Sequence, residues 1–234
     1  MPKLPRKPEE IARIRTEILD HAIDIIRDYG FVGFSMRRLA TRLNFTAKTI
    51  YNYFTNKDEI YLLVLQRGFE LLFEKQKEAI RGLATSENKL QAIKKAYVEF
   101  GLSYPHYYNI MFNYDVPKYL DYVGTKLEPV AYQEKQTALK CYMITFKIIK
   151  DIVEESGAQP MVERDVRNMV IKNWAAQHGI VSLINSRVLH EVLDEQTIEM
   201  VSAAGFKKET KLGLSPEQII EKYIDEAVNH ILED

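Results

Sequence analysis

The chain has 234 residues, 46% of them hydrophobic and 28% charged, which is apolar material enough for a real core and excludes a disordered polar chain. Its 32 Lys and Arg stand against 33 Asp and Glu, a formal net charge of −1, so bulk charge alone cannot hold a polyanion. A single cysteine, Cys141, excludes an internal disulfide and sits among apolar neighbours as a core residue would.

In chain order, the stretch from Met1 to Glu10 is basic and proline-rich with no apolar run behind it, unlike a secretion signal. Apolar residues Ile11, Ile14, Ile18, Ala22, Ile25 and Ile26 then recur at helical spacing up to a natural stop at Gly30. Met36 to Leu43 reads as a short second helix capped by Ser35, and Ala47 to Phe54 as a third. Thr55 with Asp58 reads as a capping box opening a long fourth helix that ends near Gly82. Ser86 is the expected cap of a fifth helix running to Ser103, and Pro105 suits the first turn of a sixth. The stretch 113–129, rich in Tyr, Pro and Gly, reads as a loop with one short turn. Long helices are predicted over 130–155 and 161–188, a loop over 202–213, and a last helix from the Ser215-Pro216-Glu217-Gln218 start to Leu232. No apolar run approaches membrane-spanning length. The expectation is an all-α, cytoplasmic chain with no membrane partner: a helix-turn-helix domain over 1–56 and a larger helical domain over 57–234.

The segment 36–51 carries the functional argument. A helix-turn-helix needs two short helices in steep contact, a small residue where they touch and a turn residue that tolerates the left-handed conformation. Ala40 and Asn44 fit those places, and Met36, Leu39, Leu43 and Ile50 supply an inward face. Between Tyr29 and Lys57 lie five cations (Arg37, Arg38, Arg42, Lys48, Lys57) and no acid. A basic face on a neutral chain suits a phosphate backbone. Such a third helix enters the major groove, which makes Ala47, Lys48, Thr49 and Asn52 the candidate base readers. Ser35 and Thr46 at helix starts, with Tyr51 and Tyr53, are candidate phosphate contacts. Lys3, Arg6 and Lys7 form a basic arm ahead of the first helix.

The run Thr49-Ile50-Tyr51-Asn52-Tyr53-Phe54, followed by Thr55-Asn56-Lys57-Asp58-Glu59-Ile60, resembles the signature of the TetR family of regulators, over about 11–65. Lys57 matches the position of that family's phosphate-contacting lysine. Trp174-Ala175-Ala176-Gln177-His178-Gly179 is similar to a pattern in one group of the family's C-terminal domains. The resemblance implies double-stranded operator DNA, a small-molecule effector and a homodimer as partners, with repression as the default role. An activator, or a helical adaptor that has lost DNA binding, is the alternative.

An aromatic-rich zone makes Tyr97, Phe100, Tyr104, Tyr108, Phe112, Tyr142, Phe146, Trp174 and His178 candidate pocket residues for a hydrophobic or aromatic ligand. Apolar stripes on the last two long helices, with Val181, Ile184, Ile220, Tyr223, Ile224, Ala227 and Ile231, are the candidate dimer interface. The histidines stand at no metal-ligand spacing, and no phosphate loop or nucleophile–base ordering occurs. No metal, cofactor or catalytic site is expected, and the chain is not read as an enzyme.

Overall fold

The computed structural model describes residues 7–157 and 161–193, together with Gln218, Glu221, Lys222, Ile224 and Asp225, which are helical. Among the described residues every regular element is a helix or helical turn and no strand is present. No helix there is long and apolar enough to cross a membrane.

α1 (Pro8–Gly33) buries Ile14, Ile18, Ala22, Ile25 and Ile26 on one stripe, as their spacing predicts, whereas Ile11 at its start stays exposed. Gly30 breaks the helix with φ 67°, a conformation cheap only without a Cβ. α2 (Met36–Arg42) is capped by Ser35, whose Oγ accepts from the Arg38 amide at 3.2 Å. Asn44 turns the chain at φ 52°, and the Phe45 amide donates to the Ala40 carbonyl at 2.9 Å. α3 (Ala47–Tyr51) is shorter than its predicted run to Phe54. α4 (Lys57–Ala79) follows. Its cap is Asn56 rather than the expected Thr55: Asn56 Oδ1 accepts the amides of Asp58 and Glu59, each at 3.0 Å.

The chain divides into two compact units whose borders fall at Phe73, inside α4, and at Cys141, inside α7 (Glu128–Glu155). The border expected after residue 56 coincides with the start of α4. The first unit holds α1 to α3, the first part of α4, and the segment Tyr104–Cys141. That segment contains α6 (Pro105–Tyr108), with proline in its first turn, a π turn (Asn109–Asn113), a 3-10 turn (Tyr119–Tyr122) and the first half of α7. The loop expected over 113–129 thus carries one short turn, at Tyr119–Tyr122, before α7 begins at Glu128. Gly68 lets α4 approach this segment: a Cβ there would lie 2.7 Å from Met111 Sδ and 3.0 Å from Tyr107 Cδ1. Cys141 is buried, and its Sγ donates to the Phe69 carbonyl at 3.4 Å. Burial pushes that thiol up to about 12, which leaves it an inert core group.

The second unit packs α5 (Ser86–Ser103) against α8 (Glu163–Asn185), with the second half of α7 completing the core. Leu90, Ile93, Ile148, Ile149, Val166 and Val170 form its buried cluster. The start of α5 is capped by Thr85, whose Oγ1 accepts the Asn88 amide at 3.2 Å. Ser86, the expected cap, instead donates to Glu155 at 2.8 Å and ties α5 to the end of α7. α8 ends three residues before its predicted limit of Val188, where α9 (Val188–Val192) begins after Arg187 turns at φ 64°.

Candidate nucleic-acid interface

The α2–α3 pair is built around close approach. Ala40 is buried where the helices meet, with Leu39 and Ile50 beside it fully inside. With those three inward, α3 turns Lys48, Tyr51 and Asn52 outward: all are exposed, Tyr51 at 53%. Ala47 and Thr49 are half-buried. Thr46 caps α3 by accepting the Thr49 amide at 3.2 Å, and the two hydroxyls lie 2.9 Å apart. The Thr49 hydroxyl is therefore oriented by its own cap, which leaves its methyl as the group suited to a thymine methyl. Ser35 and Thr46 are both exposed at helix starts.

Tyr53 does not belong with the exposed set. Only 9% of it is accessible, and it packs under the α3–α4 corner rather than standing outward as the expected phosphate contact would. Its neighbour Phe54 is buried at 2%. The corner is gripped from α1, a feature that sequence reasoning missed. The Arg15 guanidinium lies 4.1 Å from the centre of the Phe54 ring, donates to the Tyr53 carbonyl, and reaches Glu59 Oε1 at 3.4 Å. Glu59 Oε2 in turn accepts the Thr55 amide at 2.6 Å. A signal was present: Asn56 with Glu59 three residues on is itself a capping pattern, one residue out of the register chosen from the sequence.

The five cations of the acid-free window have separate fates. Arg42 pairs with Asp24 at 3.7 Å and Asp28 at 3.5 Å on α1. The hydrogen bond from Arg27, with the Arg42 guanidinium nearby, holds the Asp28 carboxyl below the usual carboxylate range. Arg38 stacks over Tyr29 at 4.1 Å and donates to the Gly33 carbonyl. Lys57 is half-buried, its Nζ 4.7 Å above the Phe31 ring. Arg37 and Lys48 are exposed and make no ion pair among the described residues. Of the basic arm, Lys7 is exposed at the start of α1, while Lys3 and Arg6 lie outside the described residues.

The predicted pocket residues divide between the two units. Tyr104, Tyr108 and Phe112 belong to the first unit, and Tyr97, Phe100, Tyr142, Phe146, Trp174 and His178 to the second. Tyr108 packs on Phe112 with ring centres 5.1 Å apart. Tyr97, Phe100 and Tyr108 are buried as ordinary core. Trp174 Nε1 donates to the Tyr97 hydroxyl at 2.8 Å, and its indole meets the His178 ring edge-on at 6.4 Å. Burial holds that imidazole below its usual range. Within the second unit a cavity of about 930 Å³ lies between α7 and α8, and of the predicted set only Tyr142 and Phe146 line it. Its other apolar walls are Met143, Val153, Met161 and Val166, which the sequence did not single out. Lys150, Glu154, Glu163 and Arg167 edge it as two ion pairs within single helices.

The dimer stripe needs one correction. Val181 is fully buried within its own subunit, so it packs inward rather than across an interface. Ile184 is half-buried on α8, and Ile224 is helical and half-buried. Ile220, Tyr223, Ala227 and Ile231 lie outside the described residues. Ile171, Trp174 and Leu183 on α8 are each at least 40% exposed, with Ile171 and Trp174 on neighbouring positions of one face. No group of three potential metal ligands occurs among the described residues.

Comparison with known proteins places this geometry. The profile of bacterial regulatory proteins of the tetR family matches residues 18–64, and that of the tetracyclin repressor-like C-terminal domain matches residues 90–202. The HTH-type transcriptional activator FasR of Mycolicibacterium smegmatis is 29% identical over 86 residues, 37% of this chain and 39% of that protein. The fatty acid metabolism regulator protein of Bacillus subtilis is 27% identical over 77 residues, 33% of this chain and 40% of that protein. The similarity thus spans about two fifths of each relative's length. The fold is shared with the fatty acid degradation regulator FadR from Bacillus halodurans, at a TM-score of 0.56 and 14% identity, over 97% of this chain and 98% of that one. With a matching reading head and a matching C-terminal domain, the chain belongs to the TetR family of transcriptional regulators.

Proposed function

We propose that this regulator is a repressor that binds a palindromic operator as a homodimer and is released from it by a hydrophobic small molecule. The observation that carries the reading is the surface of α3, where Lys48, Tyr51 and Asn52 stand exposed on a short helix with no acidic residue from Tyr29 to Lys57. Two such helices must stand about 34–36 Å apart to meet successive major grooves, which a two-fold dimer supplies. The exposed apolar face of α8, with Ile171 and Trp174, supports pairing of two copies.

For the effector, a long acyl chain is favoured. The cavity between α7 and α8 has apolar side walls, four charges already neutralised in pairs, and volume for a flexible chain. Relatives named as regulators of fatty acid metabolism and degradation point the same way. Occupancy of an operator is enough to block transcription. The effector releases it only by binding the DNA-free conformation more tightly. An activating role is the second reading, favoured by the activator FasR among the relatives.

The test is a mobility-shift titration against promoter DNA at low and moderate salt, with and without a long-chain acyl ligand. Specific, salt-dependent binding that the ligand weakens is expected. Binding that ignores salt, or a ligand without effect, overturns the corresponding half of the proposal. Two substitutions sort the contacts. Lys57→Ala should weaken binding to all sequences alike and lower the salt slope by about 1, as loss of one phosphate contact does. Lys48→Ala should change which operator variants are preferred, at a cost of about 1–3 kcal/mol for the base it reads. Parallel losses for both variants across a panel of operators would show that Lys48 contacts backbone rather than bases.

A further inference from the structure

We propose that Arg15 and Glu59, neither of which belongs to the reading helix, are the positioning residues that fix α3 for DNA binding. The inference rests on the DNA-reading role above and adds the device that aims the reader. α3 has only five residues and cannot hold its own direction. Its N-terminal end is fixed by the Thr46 cap. Its C-terminal end runs through Asn52 and Tyr53 to Phe54, where the chain turns out of the helix before α4 begins at Lys57.

Arg15 stiffens that turn from α1. One side chain meets three successive parts of the corner: the Tyr53 carbonyl, the Phe54 ring at 4.1 Å and the Glu59 carboxylate at 3.4 Å. The planar guanidinium suits this because it donates in its plane while its face lies on the ring, which an ammonium cannot do. Glu59 completes the link by accepting the Thr55 amide at 2.6 Å. The Glu59 side chain is 14% exposed and that of Arg15 35%, so water screens the pair only partly. The first turn of α4, the exit of α3 and the start of α1 are therefore tied as one block. α1 is further tied to α2 through Asp24, Asp28 and Arg42, and to α4 through Asp20 and Arg67.

An alternative role for Arg15 is direct contact with phosphate, and charge separates the two. Glu59→Gln removes a negative charge from the reading head and frees Arg15. If Arg15 touched phosphate, DNA binding would hold or tighten. As a positioning pair, Glu59→Gln loosens the corner and weakens binding about tenfold despite the gained positive charge. Arg15→Met is expected to do the same, and the double variant to lose no more than the worse single one. Arg15→Lys should not restore binding, since one ammonium cannot serve ring, carbonyl and carboxylate together.

The experiment measures operator affinity of the full-length protein and these variants by fluorescence anisotropy, with circular dichroism confirming folded protein at the assay temperature. Should Arg15→Met fail to fold, Glu59→Gln alone decides, because glutamine keeps the size and one acceptor for the Thr55 amide. Unchanged or tighter binding by Glu59→Gln, or fully additive losses in the double variant, overturns the proposal. Failure of the wild type to bind DNA would instead overturn the DNA-reading role and is scored separately.

Discussion

Glu134→Gln should make the protein more stable than wild type at about pH 8 and leave it nearly unchanged at about pH 5. Glu134 sits on α7 in the first unit and is only 8% exposed. Burial pushes its carboxyl up to about 7, with Lys118 pulling weakly the other way. Tyr61 on α4 and Tyr122 in the 3-10 turn lie within electrostatic reach, both phenols pushed up chiefly by burial. Among the described residues neither buried hydroxyl has a hydrogen-bond partner. Because the folded carboxyl titrates above its unfolded value, its favourable contribution is complete below the ordinary carboxylate range near 4.5 and is lost as pH rises through about 7. Above that, the folded chain carries a buried charge that the unfolded chain holds in water. The gap corresponds to about 3 kcal/mol as an upper figure, or several degrees in melting temperature for a chain of this size. Thermal unfolding followed by circular dichroism at the two pH values reads it directly. A variant shifted equally at both would show that Glu134 titrates alike in the folded and unfolded chain, and one less stable at the higher pH would show that it is stabilised as a carboxylate.

Phe54→Ala is expected to cost about 4 kcal/mol and to abolish specific DNA binding before helical content is lost. The ring is 2% exposed and lies beneath the Arg15 guanidinium at 4.1 Å, and the Phe54 amide continues the α3 bonding to Ile50 at 3.1 Å. Truncation leaves a cavity at the corner and removes the surface on which Arg15 rests. Urea denaturation gives the stability change, and operator titration gives the loss of binding. A variant with full DNA affinity at half the wild-type stability would show that α3 is aimed by α2 alone.

Much of the first unit was legible because its rules are local. Ser35, Asn44 and Pro105 are each found in the conformation their chemistry favours, and Ile14, Ile18, Ala22, Ile25 and Ile26 face inward on one stripe. Caps were read less well where two polar residues compete. Asn56 and Thr85 take the roles assigned to Thr55 and Ser86, since a one-residue shift in register decides which side chain meets the free amides. The burial of Tyr53, two residues past the end of α3, was not legible because so short a run gives too little periodicity to tell an inward ring from an outward one.

The ligand site was the least legible. Aromatic residues fill cores and line cavities with the same chemistry, so Tyr97 and Phe100 could not be told from Tyr142 and Phe146 by type. The methionines that share the cavity wall, Met143 and Met161, gave no aromatic signal at all.

Alone, the sequence determined the helical class, the turn at Asn44, the cation-bearing reading head and the family signature around Tyr51 to Lys57. Each depends on neighbours within a few residues, and backbone sterics and periodicity encode those directly. Only the tertiary structure decided that Arg15 grips a corner 38 residues away, that Val181 points inward, and which side chains leave a cavity open between α7 and α8. Those outcomes depend on which helices pack together, and that choice is settled by summed burial over the whole chain rather than by any local pattern.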